Sequence, residues 1–468
     1  MSEYDATPDE EAGLADLIAR SGPINARSRQ AIQAPKLPNG EPSEDAIALA
    51  FTNRFRDHLR FDHDAGRWFE WDGSRWRRDG KCRAFNYARE LGREIGEGKR
   101  QMCKASVAAG AERFARSDPV HAVEATEWDR DPMLLGVPGG VIDLRTGKRG
   151  AADPSDLITK QASVAPEAGD PVVWLRFLAE AVNNDNEVIR FLQQWAGYCL
   201  TGETREHALA FVYGPGGNGK SVFLNTLVAI LGDYAVTAAM ETFTASRNDR
   251  HSTELAMLRG ARLVTASETE EGRQWAEAKV KQMTGGDMIT ARFMRQDNFT
   301  FRPQFKLTIA GNHAPALNTV DDAMRRRLNV VPFVTKPAIP DPTLEKKMET
   351  EHGQILSWAI AGCLDWQANG LVRPEAVTFA TADYFENQDL FGQWLEDCCV
   401  RGVSKWELPT RLYTNWSEFA RAAGDGPGSM VTFSDRLKSR GFARGKTGGL
   451  RVYRGLVLTG AARDGGDR

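Results

Sequence analysis

The segment Gly214-Pro215-Gly216-Gly217-Asn218-Gly219-Lys220-Ser221 follows the apolar run Leu209-Ala210-Phe211-Val212-Tyr213 and opens a second apolar run from Val222 to Leu231. A strand that feeds a glycine-rich turn, with a helix starting at a lysine, is the setting of a phosphate-binding loop, and it commits this part of the chain to an α/β core. The glycines let backbone N–H groups turn inward, close to a polyphosphate that a Cβ would hold off. The following helix directs its positive dipole end at the same anion. In that geometry Lys220 reaches the β and γ phosphates and Ser221 ligates Mg²⁺.

The rest of the chain must fit around that core. A length of 468 residues exceeds what one core supports and predicts two to four domains, and 41% hydrophobic residues suits a packed globular protein. Formal net charge is only −3, so any contact with nucleic acid has to come from local basic patches. The six cysteines form no CxxC pair and no histidine lies at metal-ligand spacing, which argues against a zinc site or a disulfide scaffold and for reduced thiols. No run of some 18 apolar residues occurs, and the N-terminal stretch carries acids rather than a basic, then apolar, signal. The expectation is a soluble protein with no membrane partner, in the cytoplasm of a bacterial host.

Along the chain, residues 1–43 are polar and proline-rich and predict a flexible leader, with a short helical stretch at 11–20. Residues 44–206 predict an N-terminal α+β domain and a helical collar. Ile47, Phe51, Phe55 and Leu59 recur at helical spacing. Trp68-Phe69-Glu70-Trp71, Asp72-Gly73 and Arg75-Trp76-Arg77 predict a hairpin. Its aromatics either stack on bases or, the preferred reading, form the core of a small domain with solvated arginines. Asp62 and Asp64 form an Asp-x-Asp pair beside Gly66, which is read as a turn. The strand Val141-Ile142-Asp143-Leu144 precedes helices at 173–181 and 188–200. Residues 207–336 are the nucleotide-binding core. Pro337, Pro340 and Pro342 mark a boundary to a helical segment, 337–380. A basic domain, 381–460, is expected to begin with a helix at 384–400. Its helix, glycine-rich turn and strand Leu450 to Leu458 have the order of a winged helix, and 461–468 form a tail.

The segments downstream of the loop carry the chemistry. The run Leu263-Val264-Thr265-Ala266-Ser267 delivers Glu268, 47 residues after the loop serine, and a carboxylate there can hold the Mg²⁺ shell and polarise water; Glu270 is its substitute. Phe305 to Ala310 ends at Gly311-Asn312, and the Asn312 amide both donates and accepts, so it can orient water against the γ phosphate. Arg325-Arg326-Arg327 precede the run Val330 to Phe333, and one of them is a candidate arginine finger. Between Glu268 and Asn312, residues 285–301 predict a hairpin whose Arg292 and Arg295 can track a phosphate backbone. Arg436, Lys438, Arg440 and Lys446 supply a further basic surface, with Arg436 and Arg440 one helical turn apart.

This ordered set resembles a superfamily 3 helicase. More narrowly, Gly140 to Gly147, Leu263 to Glu271, Thr284 to Arg292 and Gly311-Asn312-His313 resemble the C-terminal part of phage and plasmid primase-helicases related to the poxvirus primase-helicase. The resemblance implies an AAA+ type core, ATP with Mg²⁺ as ligands, and a hexameric ring. It also implies one hairpin per subunit in a central channel and 3′ to 5′ movement on single-stranded or forked DNA. Asn312 becomes a γ-phosphate sensor, and Arg326 or Arg327 reaches across the subunit interface, with Arg327 favoured by its nearness to the strand. Ser267-Glu268 stands where two acids are common in the family, so Glu268 serves metal and water alone or shares the task with Glu270. The short N-terminal region predicts a helicase working with a separate primase or initiator. A bifunctional primase-helicase, and an AAA+ protein remodeller or nucleotide switch, are the competing readings.

Overall fold

The computed structural model describes residues 42–245, 253–267, 274–294, 297–313, 315–317, 321–423 and 426–459. The leader and its 11–20 helix, and the 461–468 tail, lie outside these. The chain divides into two compact units, one comprising residues up to 315 with 326–378, the other 316–325 with 379 onward.

In the first unit, the helix Glu44–Phe55 starts at Ser43, whose hydroxyl accepts the Ala46 N–H. Leu59 does not continue this helix as its spacing suggested. A turn in which His58 N–H bonds the Phe55 carbonyl ends the helix, and Leu59 opens a strand, β1 (Leu59–Asp62). β2 (Arg67–Trp71) and β3 (Trp76–Arg78) form the expected hairpin, in which Asp72 accepts from the N–H groups of Ser74 and Arg75. With β4 (Ala122–Val123) they make a sheet ordered β3-β2-β1-β4. The hairpin aromatics serve chiefly as core: Trp68 and Trp76 are 6% and 0% exposed, and their indoles donate to Glu112 and to the Pro154 carbonyl. Asp62 and Asp64 are occupied in local structure. Asp62 accepts from Ala65 N–H and the Trp128 indole, and Asp64 from Ala125 N–H.

A three-stranded meander, β5 (Leu134–Val137), β6 (Gly140–Asp143) and β7 (Lys148–Gly150), leads into helices Val172–Ala181 and Asn186–Leu200. The second of these packs closely on the helix His352–Asn369. A Cβ at Gly197 would come within 2.1 Å of Cys363 N, and one at Gly362 within 2.1 Å of the Gln193 carbonyl, so each helix presents glycine where the other's backbone passes. Arg190 clamps Asp365 with two bonds of 2.9 Å across this contact.

The core is a five-stranded, fully parallel sheet: β8 (Leu209–Tyr213), β9 (Ala235–Thr237), β10 (Leu263–Ser267), β13 (Lys306–Gly311) and β14 (Leu328–Pro332), ordered β14-β8-β13-β10-β9. Four of these strands were expected, and β9 was not. With two half-buried residues and an exposed Thr237, β9 has too little apolar pattern to be seen without its partner β10. The parallel order needs crossover helices, and burial on both faces explains why β8, β10 and β13 read as largely apolar runs. Between β10 and β13, β11 (Ile289–Ala291) and β12 (Phe299–Phe301) pair antiparallel as the expected hairpin.

In the second unit, residues 384–400 are not one helix. A helix Glu375–Gln388 stops, Asp389 caps a new one (Leu390–Cys398) by accepting the Gly392 N–H, and the chain then becomes β15 (Cys399–Glu407). Helices Pro409–Ala422 and Met430–Ser439 precede β16 (Arg444–Thr447) and β17 (Leu450–Leu458), in an antiparallel sheet ordered β15-β17-β16. Gly448 and Gly449, both at positive φ, make the two-residue turn between β16 and β17. Trp394, Trp416, Phe433 and Leu437, all fully buried, fill the core beneath.

Candidate nucleotide site and basic surfaces

Loop 214–219 leaves the carboxyl end of β8, and the helix Lys220–Leu231 starts from Gly219 at φ 86°. Two of its glycines are fixed by close approach. A Cβ at Gly214, where φ is 153°, would sit 1.9 Å from the Phe333 carbonyl, and one at Gly219 would sit 2.4 Å from the Phe177 ring. At Gly216 and Gly217 a Cβ would meet nothing within 4 Å. The loop is therefore packed tightly on its inner side and open on its outer side. Phe177 is placed by the stack of Trp174 on Phe223 (centroids 5.7 Å, 13° apart), which joins helix Val172–Ala181 to helix Lys220–Leu231. Burying each such aromatic is worth about 2–3 kcal/mol.

Lys220 is 7% exposed, and its ammonium donates to the Gly214 carbonyl (2.7 Å), the Pro215 carbonyl (3.0 Å), Asn218 Oδ1 (2.9 Å) and Asn312 Oδ1 (2.9 Å). Four acceptors for three N–H groups hold the charge at one point between the loop and the end of β13. Burial, and then the ammonium of Lys336, lower the Lys220 pKa. Asn218 is the second organiser. Its amide donates to the Phe333 carbonyl just past β14 while its oxygen accepts from Lys220, so it ties the loop to a neighbouring strand. Ser221 is exposed at the first helical turn, and Asn312 is exposed at the end of β13.

These groups border a cavity of about 700 Å³ whose wall includes Arg176, Phe177, Gly216, Ser221, Ser267 and Asn312. That volume suits a nucleotide-sized ligand. Glu268 and Glu270 lie outside the described residues, but Ser267, directly before Glu268, is part of the wall. Arg176 has no recognisable sequence signal: it is one basic residue on an amphipathic helix far upstream of the loop. It is exposed and has no side-chain partner among the described residues.

The arginine triplet ends the helix Asp322–Arg327. Arg325 lies over the Phe385 ring at 4.9 Å within the second unit. Arg326 is exposed, its guanidinium has no partner among the described residues, and its carbonyl accepts from Arg373 (2.6 Å). Arg327 is half-buried and donates from Nε to Thr284 Oγ1 (3.2 Å). Arg292, after β11, is exposed beside exposed Phe293 and Met294, and Arg295 lies outside the described residues. In the second unit, Arg436 covers the Trp416 ring (5.7 Å) and Arg440 pairs with Asp389 (2.6 Å). Lys438 and Lys446 remain exposed. Among the described residues, no group of three His, Cys, Asp or Glu could hold a metal ion, and no helix is long and apolar enough to cross a membrane.

Comparison with known proteins adds to this geometry. A D5 N-terminal-like family matches residues 48–183, and a family of unknown function (DUF5906) matches residues 212–327. The chain is 26% identical over 321 residues to the "Putative helicase L207/L206" of Acanthamoeba polyphaga mimivirus, covering 63% of this chain and 33% of that protein. It is 28% identical over 275 residues to the "Putative helicase 022R" of Frog virus 3, covering 54% of this chain and 28% of that protein. It is 23% identical over 238 residues to the "Putative primase C962R" of African swine fever virus, covering 47% of this chain and 24% of that protein. The chain thus spans a third or less of the length of these relatives. An apo structure of the NrS-1 C-terminal region (305-718) superposes with a TM-score of 0.51 at 12% identity, over 88% of this chain and 99% of that one, a likeness of fold.

Proposed function

We propose that this chain, which is similar to viral putative helicases and a putative primase and resembles the phage and plasmid primase-helicases related to the poxvirus primase-helicase, is an ATP-driven helicase acting on single-stranded or forked DNA. One observation carries the proposal: Lys220, at the start of the helix after β8, bonds Asn312 at the end of the adjacent parallel strand β13. The pair lies at the carboxyl edge of the sheet, where ligands of open parallel sheets bind, which supports reading Lys220 as the phosphate-binding cation and Asn312 as the γ-phosphate sensor. The residues fit ATP with Mg²⁺, because the open side of Gly216 and Gly217 and the exposed Ser221 face the cavity. Bound Mg²⁺ would neutralise developing charge on the phosphates.

In this reading the loop N–H groups and Lys220 hold the β and γ phosphates, exchanging some of the Lys220 bonds to carbonyls for bonds to phosphate oxygens. Asn312 orients the attacking water, and Glu268 accepts its proton. The subunits form a ring, hexameric as in the family, with the triplet of one subunit reaching the site of the next. Of the three arginines, Arg326 has its guanidinium free of partners among the described residues, so it is the better finger, whereas Arg327 is engaged at Thr284. The β11–β12 hairpin contacts DNA through Arg292 and Arg295 and moves with each subunit boundary, in the 3′ to 5′ direction. The second unit, with its helix, strand, two helices and two-stranded β-ribbon, is a winged helix whose Lys438 and Lys446 meet phosphates.

ATP hydrolysis measured as single-stranded DNA, duplex DNA and RNA are titrated in tests the proposal. Stimulation by single-stranded DNA that Lys220→Ala abolishes is expected. Hydrolysis indifferent to every polymer would refute a nucleic-acid motor. It would favour a protein remodeller, a reading supported by Phe293 and Met294, 38% and 75% exposed beside the hairpin tip.

A further inference from the structure

The hairpin of the N-terminal sheet carries a surface that the nucleotide site does not use. β3 is the edge strand of the β3-β2-β1-β4 sheet, and two clefts share its residues Arg77 and Arg78. One, of about 540 Å³, also has Trp71, Lys81 and Arg83 in its wall; the other, of about 440 Å³, has Lys160 and Asp233. Successive strand residues point to opposite faces, so Arg77 and Arg78 set cations on both sides of one edge.

The acids of the clefts are already committed. Glu70 accepts from Arg83 (2.7 Å) and the Tyr87 hydroxyl (2.8 Å). Asp72 caps the hairpin turn. Asp79 accepts from the N–H groups of Lys81 (2.9 Å) and Ala84 (3.1 Å). Asp233 pairs with Arg75. The basic side has charge to spare. Arg78 and Lys81 are exposed and form no ion pair among the described residues, and Arg77, 66% exposed, comes only within 4.0 Å of Asp72. Trp71 is not sealed in the core as Trp68 and Trp76 are. It is half-buried in the wall of the larger cleft, its ring centroid 5.6 Å from that of Trp76.

We propose that the β3 edge, with Arg77, Arg78 and Lys81 as phosphate contacts and Trp71 as a base-stacking platform, binds single-stranded nucleic acid at a place separate from the core hairpin and the C-terminal basic unit. An excess of cations over carboxylates in the two linings, beside a partly exposed indole, matches a flexible polyanion with free π-faces. A duplex hides those faces, and an acidic peptide lacks them. The inference rests on the nucleic-acid motor reading.

Anisotropy of a labelled oligo-dT, titrated with the full chain over a range of salt, tests it. With Arg77→Glu, Arg78→Glu and Lys81→Glu combined, affinity at low salt is expected to fall at least tenfold. The slope of log affinity against log salt should shrink by about 2, for three lost phosphate contacts on a single strand. Trp71→Ala should weaken binding by about tenfold without changing that slope. DNA-independent ATP hydrolysis should stay at the wild-type value in both variants, and the melting temperature should stay at the wild-type value in the triple variant. An unchanged affinity and slope in the triple variant would overturn the proposal while leaving the motor reading intact. Equal competition by poly-glutamate would overturn it in favour of an acidic-peptide site. Failure of the wild-type chain to bind any nucleic acid would sink the motor reading itself.

Discussion

Lys220 and Lys306 are both buried around the five-stranded parallel sheet, yet their surroundings differ. Lys220 stands at the edge of an open cavity and shares its charge between loop carbonyls and Asn312. Lys306, 1% exposed at the start of β13, donates to the carbonyls of Thr201, Glu203 and Gln304 and closes off the end of helix Asn186–Leu200. Burial pushes its pKa down to about 7 from 10.5. Between those values the unfolded chain binds the proton that the folded chain has released. Lys306 therefore makes stability rise with pH across that window, by roughly 1 kcal/mol per pH unit, and contributes no slope below it. Lys306→Met should melt below wild type, because three carbonyls lose a donor, and the gap should widen from pH 7 to pH 9. A gap of constant size would mean that Lys306 titrates near its ordinary value. Lys220 and Asn312 were legible in sequence because each ends or follows an apolar strand at a telling spacing. The bond from Asn218 to the Phe333 carbonyl and that from Arg327 to Thr284 were not, since each joins residues far apart in the chain that only the fold brings together.

Among the elements, legibility followed burial. β8, β10 and β13, covered on both faces, announce themselves as apolar runs, and the glycine-rich turn fixes the helix after β8. β15 escapes the sequence pattern because it carries Arg401 and Lys405 and a register shift, and because Val403 is fully exposed, so no alternation survives. The loop glycines allow the element's two functions to be separated. Gly214→Ala puts a Cβ against the Phe333 carbonyl, so either the loop or the end of β14 must move. It should lower both the melting temperature and the affinity for ATP, the latter at least tenfold. Gly216→Ala meets nothing within 4 Å of protein and should leave the melting temperature alone while weakening ATP binding, because the methyl group would occupy space that the phosphates need. Calorimetry with and without ATP checks both variants. Unaltered ATP affinity in Gly216→Ala would place the phosphates elsewhere.

On the scale of the whole molecule, the net charge of −3 says little about partners, whereas the local surfaces say a good deal. What no single chain displays is the complete catalytic site, if an arginine of one subunit serves the nucleotide of its neighbour. That arrangement makes a quantitative prediction about mixtures. A Lys220→Ala subunit cannot use its own site but still offers Arg326 to the next. An Arg326→Ala subunit keeps its own Lys220 but offers nothing. Each variant alone should be inactive. In an equimolar, freely exchanging mixture, a site is complete when its lysine side comes from the Arg326→Ala chain and its arginine side from the Lys220→Ala chain. One boundary in four meets that condition, so about a quarter of wild-type ATP turnover should return. The same mixture made with Arg327→Ala should recover nothing if Arg327 acts within its own subunit through Thr284, since its loss then disables the chain that carries it. Recovery with Arg327→Ala but not with Arg326→Ala would reverse the assignment. Recovery with neither would place the stabilising charge within the subunit, where Arg176 already borders the cavity.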